Sequence, residues 1–511
     1  MKVLVTGGTG VVGIAAVRAL IAEGHAVRLF SRHAARDAAR WEGNWESRVE
    51  ARPGSISSPL DVAGIADGCD AVLHIAGIVE ESPPEVTFDR VNVGGTQYLV
   101  SEAERAGVRR FVYVSSLGAD RGQSAYHDSK RRAEEVVRGF RGEWVICRPG
   151  NVYGPGDEVI SYLLQVIRSS PVAPVIDLGD QPFQPLWADD LGAALARAVE
   201  RDALSGRVLS LAGAETTSTQ DILDRLARLT GRDPVRLPVP SALASLGARA
   251  ASMLGVSAPV NEDKITMLLE ENVIPAGEVN ALTEVLGIQA TPLEEGLRRL
   301  VNSQPEQLPD EGTGPLVRRR FWTLLTGVSR SPVELFAEFR SRFFEVVPES
   351  TIREAGEPAG ESRVEVGKTL TLQLPLRGHV QVRVVEITGA SLTVVTLAGH
   401  PLAGYNVFRF AGSPGADLRF EVESCDRPSN LLDSMAILSL GVFVKRWTWN
   451  KVVENTAKMA GVLPPIEVLT ESHELSKEEE KQAQALIQRK VDEMARREEP
   501  VLQAQAKARL A

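Results

Sequence analysis

The chain has 511 residues, 43% of them hydrophobic and 24% charged, a soluble globular composition with room for two or three domains. A formal net charge of −10 leaves no basic surplus with which to neutralise phosphates, so no nucleic-acid partner is expected. Three cysteines, Cys69, Cys147 and Cys425, without Cys-x-x-Cys spacing, argue against a disulfide framework or a thiolate metal site and fit a reducing, cytoplasmic setting. The N-terminus lacks the basic, apolar, small-residue order of a signal peptide. The longest apolar run, 434–444, is shorter than the roughly 18 residues that a membrane span needs. The stretch 241–260 reads as a half-buried helix, interrupted by Arg249 and several glycines and serines.

From residue 1 to 150, short β-branched runs alternate with amphipathic stretches of helical length, the pattern of a parallel sheet covered by helices. The runs are 2–6, 26–31, 71–75, 110–115 and 144–148; helix patterns include 11–23, stopped by Gly24, and 92–105, stopped by Gly107. The expected class is α/β, a doubly wound parallel sheet of the Rossmann type. Beyond residue 150 the chain is Pro-punctuated and suits a small cap, closed by a helix with Thr291 as N-cap and Pro292 as its first residue. This gives a domain over 1–303 and a polar linker over 304–317.

Residues 318–463 change character. A helix pattern at 332–344 is followed by candidate strands at 363–366, 369–375, 380–387, 391–398, 406–410 and 417–424, then a long helix pattern at 429–459 with one of Trp447 and Trp449 in the core. This predicts an α+β domain whose curved sheet wraps a helix. The last segment, 464–511, is a charged helical tail opened by the capping box Ser476-x-x-Glu479, with Ala483, Ile487, Val491 and Met494 on one face to pack back or bind a partner.

The string Thr6-Gly7-Gly8-Thr9-Gly10-Val11-Val12-Gly13 follows the first strand and opens the first helix, the context in which a glycine-rich string cradles a pyrophosphate. At the end of the second strand stand Ser31 and Arg32 rather than a carboxylate, so a 2′-phosphate is welcome and NADP(H) is preferred, with NAD(H) the alternative. Tyr126 and Lys130, four apart at a helix start, share one face. An ammonium about 4 Å from the phenol, at an effective dielectric of 20, contributes roughly 4 kcal/mol toward its ionisation. Ser115 and Ser116 follow the fourth of the runs, at the sheet edge where ligands of such folds bind.

Together with His74-Ile75-Ala76-Gly77 and Arg148-Pro149-Gly150-Asn151-Val152-Tyr153-Gly154-Pro155-Gly156, these motifs resemble an extended or atypical short-chain dehydrogenase/reductase over 1–303. Within that superfamily the chain is most similar to epimerase/dehydratase-like proteins that include a nucleotide-binding accessory subunit of respiratory complex I. The resemblance implies Ser116 as the catalytic serine, Tyr126 as general acid/base, and Lys130 as the residue that lowers its pKa and holds the nicotinamide ribose. It implies further cofactor contacts from Ala76, Gly77, Asn92, Ser55, Ile56 and the stretch Pro149, Gly150, Asn151 and Val152, with Asp189-Asp190-Leu191 tying cap to core. Two departures stand out. The Ser116–Tyr126 gap is shorter than in the sugar-nucleotide epimerases, and Gly54-Ser55-Ile56 replaces the Asp that many relatives place by adenine.

Residues 318–463 resemble helix-grip domains of the START type, which implies an apolar cavity. No second His or carboxylate stands at metal spacing from His400, so no metal is expected. The leading expectation is an NADP(H)-dependent oxidoreductase or epimerase acting on a carbonyl or alcohol carbon of a small substrate, apolar in one reading. The alternative is a non-catalytic NADPH-binding module with a hydrophobic-ligand or assembly role. Oligomeric state is left open.

Overall fold

In the computed structural model, residues 1–38, 48–246, 262–361, 363–375, 377–413, 418–436 and 442–510 are described. In chain order come β1 (Lys2–Thr6), β2 (Ala26–Ser31), β3 (Val49–Pro53), β4 (Ala71–His74), β5 (Arg110–Val114), β6 (Glu143–Pro149), the short β7 (Val152–Tyr153), β8 (Val172–Ile176), β9 (Leu186–Trp187), β10 (Arg207–Leu211) and β11 (Val235–Val239). One 7-stranded sheet runs β10-β6-β5-β4-β1-β2-β3, all parallel. Two of its strands lie outside the five apolar runs of the sequence. β3 is an edge strand carrying Glu50, Arg52 and Pro53, and β10 lies at the other edge with Arg207 and Ser210, so neither has an unbroken apolar signal.

Alternation along each strand sends side chains to opposite faces. Val3, Val5 and Leu73 pack with Val17, Leu20, Leu191 and Leu195 from the helices Val11–Ala22 and Ala188–Glu200. Leu4, Val72 and Phe111 pack with Leu99, Ala133 and Val137 from Gly95–Arg105 and Ala125–Arg138. Burial of both faces is what a parallel sheet with crossover helices requires. The strand order reverses between β1 and β4, which opens a crevice at their C-terminal ends.

The cap packs the helices Ile160–Ser169, Thr219–Thr230 and Leu293–Asn302 around Leu164, Leu226 and Leu297, beside the parallel pair β8–β11. Thr291 does not cap the last of these helices. Pro292 occupies the N-cap, and Thr291 donates its N–H (2.7 Å) and its hydroxyl (2.9 Å) to the carboxylate of Asp190. That buried carboxylate offered a stronger acceptor than solvent.

The C-terminal part adds β12 (Val317–Leu324), the helices Pro332–Ser341 and Phe343–Val346, then β13 (Arg353–Glu354), β14 (Thr369–Leu374), β15 (Gly378–Ile387), β16 (Ser391–Thr396), β17 (Leu402–Ala411), β18 (Arg419–Pro428), the helices Leu431–Ala436 and Val442–Met459, β19 (Leu469–Glu474) and the final helix Lys477–Leu510. The 8-stranded sheet has the order β13-β14-β15-β16-β17-β18-β12-β19 and every pairing is antiparallel. One face is filled by Phe336, Phe339, Phe343, Phe408, Phe410, Phe420 and Trp449. Val385, Val395, Tyr405 and Val407 on the other face are covered by Ala483, Ile487, Val491 and Met494 of the final helix.

Four expectations are corrected here. Residues 363–366 form no strand: Val364 and Val366 pack against the core from a turn closed by Gly367 at φ +84°, which mimics strand alternation. β17 and β18 each extend beyond their apolar runs. The 304–317 stretch is packed rather than free, with Gln304, Leu308 and Leu316 buried and Gln307 hydrogen-bonded to Thr396. The segment after 463 contributes a strand as well as a helix, and the helix packs back on the body. Trp449 is core and Trp447 exposed, as one of the two had to be. Most of the expected 241–260 helix, and residues 437–441 of the long helix pattern, lie outside the described residues. Among the described residues no helix is long and apolar enough to cross a membrane, and no cluster of metal-ligating side chains occurs.

Candidate active site

The turn after β1 is built by three glycines with different duties. Gly7 sits at φ +69°, where a Cβ would lie 2.6 Å from the Ala76 nitrogen. A Cβ on Gly13 would lie 2.1 Å from the Gly7 oxygen, so the helix can approach the loop only without a side chain. Gly10 is exposed, and a Cβ there would meet nothing nearer than the Gly7 oxygen at 3.9 Å. The space in front of Gly10 is therefore open. The helix behind it has no side-chain N-cap, so the amides of Val11, Val12 and Gly13 have no intrahelical partners. These features fit a diphosphate.

A directional hydrogen-bond chain holds this turn against the end of β4. The Thr96 hydroxyl donates to the Asn92 carbonyl (2.6 Å) and so must accept from His74 Nε2 (3.0 Å). His74 Nδ1 then accepts from the Thr6 hydroxyl (2.7 Å), which in turn accepts the Ala76 N–H (3.3 Å). Burial, with Lys130 adding to it, pushes His74 down to about 3, so the ring stays neutral and the chain keeps its direction. Asn92 also clamps both backbone groups of Ile78 (2.8 and 3.0 Å) and donates to Ser129 Oγ (2.9 Å). Gly77 passes so close that a Cβ would stand 3.1 Å from Lys130 Nζ. Thr6, Ala76, Gly77, Asn92 and Lys130 are thus brought together.

At the ends of β2 and β3 the structure places Ser31, Arg32, Ser55 and Ile56. Ser31 Oγ is buried without a hydrogen-bond partner, an orphaned polar atom beside the exposed Arg32. Ile56 is committed to the core against Gly95, and the Ser55 N–H is taken by Asp61 (2.8 Å). The end of β6 lies next to Ser116 and Leu117: the Leu117 N–H reaches the Pro149 carbonyl (2.9 Å), and Asn272 Oδ1 accepts from the Asn151 N–H (2.8 Å). A Cβ on Gly150 would stand 3.0 Å from that same oxygen, and Val152 opens β7.

Ser124 caps the helix Ala125–Arg138 through the His127 N–H (3.2 Å), which orients Tyr126 and Lys130 in its first turns. The two serines after β5 part company. Ser115 donates to the buried carboxylate of Glu134 (2.6 Å), itself forked by Arg148 (2.7 Å on each oxygen), whereas Ser116 Oγ lies 3.2 Å from His127 Nε2, beside Tyr126. The expected electrostatic pairing is corrected. Lys130 Nζ donates to the Val114 carbonyl (3.0 Å) and stands 6.0 Å from the Tyr126 ring centre. Burial pushes the Tyr126 phenol up to about 12, offset only in part by Ser116, and pulls Lys130 down to about 8.

Three polar groups that the sequence did not reveal complete the surroundings. His127 is buried with Nε2 3.2 Å from Ser116 Oγ, and Glu270 Oε2 approaches its Nδ1 at 2.6 Å. Asp263 accepts the N–H groups of Ala125 (2.9 Å) and Tyr126 (3.3 Å), a carboxylate at a helix N-terminus. Asp263, Glu270 and Asn272 come from a cap segment far away in sequence, with no motif to announce them.

A family model described as the NAD dependent epimerase/dehydratase family matches residues 3–212. The ceramide reductase of Caulobacter vibrioides is 32% identical over 244 residues, 47% of this chain and 75% of that protein. A 3 beta-hydroxysteroid dehydrogenase/Delta 5→4-isomerase of Mycobacterium tuberculosis is 33% identical over 187 residues, 31% of this chain and 49% of that protein. The mitochondrial NADH dehydrogenase 1 alpha subcomplex subunit 9 of Arabidopsis thaliana is 28% identical over 184 residues, 35% of this chain and 44% of that protein. The chain spans about half the length of these last two relatives. The fold and these likenesses define an NAD(P)-dependent oxidoreductase or epimerase. The chain belongs to the NAD-dependent epimerase/dehydratase family.

Proposed function

We propose that the 1–303 domain is an NADP(H)-dependent oxidoreductase that interconverts a carbonyl and an alcohol on a small apolar substrate. The observation that carries this reading is the convergence of the open glycine turn, Gly77, the buried Lys130 and the neighbouring Ser116 and Tyr126 on one crevice. Gly10 and the helix behind it would hold the diphosphate, Arg32 and the orphaned Ser31 hydroxyl the 2′-phosphate, and Lys130 the nicotinamide ribose. When bound, the nicotinamide supplies or takes the hydride. Tyr126 moves the proton at the substrate oxygen and Ser116 polarises that oxygen. Support for an apolar substrate comes from the names of two relatives, a ceramide reductase and a hydroxysteroid dehydrogenase. The cap also exposes Val235, Leu237, Leu243 and Leu246, more apolar surface than a water-soluble sugar nucleotide calls for.

The test is to titrate the protein with NADPH, then follow its oxidation with a ketosteroid and a long-chain ketone as probes. Tyr126→Phe is expected to lower turnover by about a thousandfold while NADPH affinity stays within twofold. One observation favours a second reading, an NADPH-binding module without turnover: Lys130 does not pull the Tyr126 phenol down. In that case Tyr126→Phe leaves every measurable property of the protein unchanged.

A further inference from the structure

We propose that the cleft between the outer face of the antiparallel sheet and the final helix binds a small monocarboxylic acid whose apolar chain ends in a hydroxyl or carbonyl group. This site does not depend on the chemistry proposed for the crevice of the nucleotide domain. The cleft has a volume of about 210 Å³. An apolar cavity of about 150 Å³ already holds benzene. Its floor is β17, where Tyr405, Val407 and Arg409 alternate onto one face, and its roof is Leu486, Ile487 and Lys490 of the final helix.

Two groups in the cleft lack partners. Tyr405 is 2% exposed, and its hydroxyl makes no hydrogen bond. Cys425, its pair across the β17–β18 ladder, is a polar neighbour of the phenol, but no hydrogen bond joins the two. Burial pushes the phenol above its ordinary range, so the hydroxyl keeps its proton and is available as a donor. At the other end Arg409 is exposed and forms no ion pair among the described residues. Glu421, opposite it across the ladder, is turned to Arg419 (3.2 Å).

The other charges of the cleft are committed to one another. Lys490 pairs with Glu386 and lies 3.4 Å from Thr393 Oγ1, which itself donates to Glu386 (3.3 Å). Glu423 accepts from Arg320 (3.0 Å), with Arg318 at 3.8 Å. Of the charges that line the cleft, Arg409 alone is left over among the described residues, which sets the charge of the ligand at −1. A phosphate carries about −1.5 to −2 and would set the excess against Glu386 and Glu423. A planar guanidinium matches a carboxylate through two parallel hydrogen bonds. Four residues of strand put the Cα atoms of Arg409 and Tyr405 roughly 13 Å apart. With the reach of both side chains subtracted, a chain of about six to eight carbons spans them, lying along Val407, Leu486 and Ile487.

The experiment is calorimetric titration of the full-length protein with 8-hydroxyoctanoate, octanoate, 1,8-octanediol and octyl phosphate, with melting-temperature shifts read in parallel. One molecule of 8-hydroxyoctanoate is expected to bind per chain, with octanoate about fivefold weaker and the diol roughly ten- to a hundredfold weaker. Arg409→Gln should weaken 8-hydroxyoctanoate by roughly ten- to a hundredfold. Tyr405→Phe should bring 8-hydroxyoctanoate and octanoate to equal affinity, since it deletes the hydroxyl that tells them apart. Arg409 is exposed and the Tyr405 hydroxyl is unpaired, so both variants should melt no lower than the wild type. No binding of 8-hydroxyoctanoate by either measurement means a water-filled cleft and overturns the site. Wild-type affinity in Arg409→Gln overturns it as well, by placing the ligand elsewhere. Octyl phosphate binding as tightly as 8-hydroxyoctanoate overturns the monocarboxylate class.

Discussion

In the proposed function, Arg32 and Ser31 are the pair of side chains that would set the preference between two cofactors. Arg32 is exposed at the end of β2, and the Ser31 hydroxyl beside it is buried without a hydrogen-bond partner. A guanidinium–phosphate hydrogen bond contributes about 1.5–3 kcal/mol, so Arg32→Ala is expected to weaken NADPH binding by roughly ten- to a hundredfold and to leave NADH nearly untouched. Calorimetric titration with both nucleotides checks this, and an equal loss for the two would remove the 2′-phosphate assignment. Tyr126 and Lys130 give the opposite lesson. Their spacing was legible, but their electrostatics were not, because a distance of about 4 Å and a dielectric of 20 had to be assumed. The fold instead turns Nζ toward the Val114 carbonyl and buries the phenol.

Among the elements, the final helix Lys477–Leu510 departs furthest from its polar look. Its first half covers the outer face of the antiparallel sheet, and its second half reaches the nucleotide domain. There Arg18 forks Glu499 (2.8 and 3.1 Å), with the two side chains only 11% and 3% exposed, and Arg509 pairs with Asp190. Removing one partner of such a pair strands the other, at a cost of about 3 kcal/mol. Glu499→Ala should therefore shift the urea midpoint strongly, whereas the double change Arg18→Leu with Glu499→Leu should recover most of the loss. Single variants with wild-type midpoints would mean that the pair is solvated in solution. The capping box and the apolar stripe were readable in the sequence; the docking of Glu499 was not, since a charged residue on a charged helix carries no sign of burial.

Across the whole molecule, the cap and the antiparallel domain meet through a buried polar cluster. Arg168 forks Glu357 (3.0 and 2.6 Å) and reaches Gln381 (2.8 Å) and the Val301 carbonyl (2.8 Å), while His379 Nδ1 lies 2.9 Å from Glu357. Burial alone would raise the Glu357 carboxyl, but His379 and Arg168 outweigh it and hold it below its usual range. A lowered carboxyl stabilises the fold in full above the ordinary value of about 4.3 and loses that contribution as pH falls through its folded value. Scanning calorimetry is thus expected to show a single transition near neutral pH that splits into two below about pH 4. Glu357→Gln should split it already at pH 7. One transition at every pH in that variant would show that the final helix alone joins the domains.

By itself the sequence determined the glycine turn after β1, the alternation of strand and helix through residue 150, the placing of Tyr126 and Lys130 on one helix, and most strands of the second sheet. Each rests on local periodicity or on a motif whose residues are near neighbours in the chain. Only the tertiary structure decided what Lys130 touches, which of two adjacent serines faces the crevice, and that His127, Asp263, Glu270 and Asn272 surround it. Burial set the first two through partners on neighbouring elements, Val114 and Glu134, whereas Asp263, Glu270 and Asn272 lie a hundred or more positions from the groups that folding brings within a few ångströms of them.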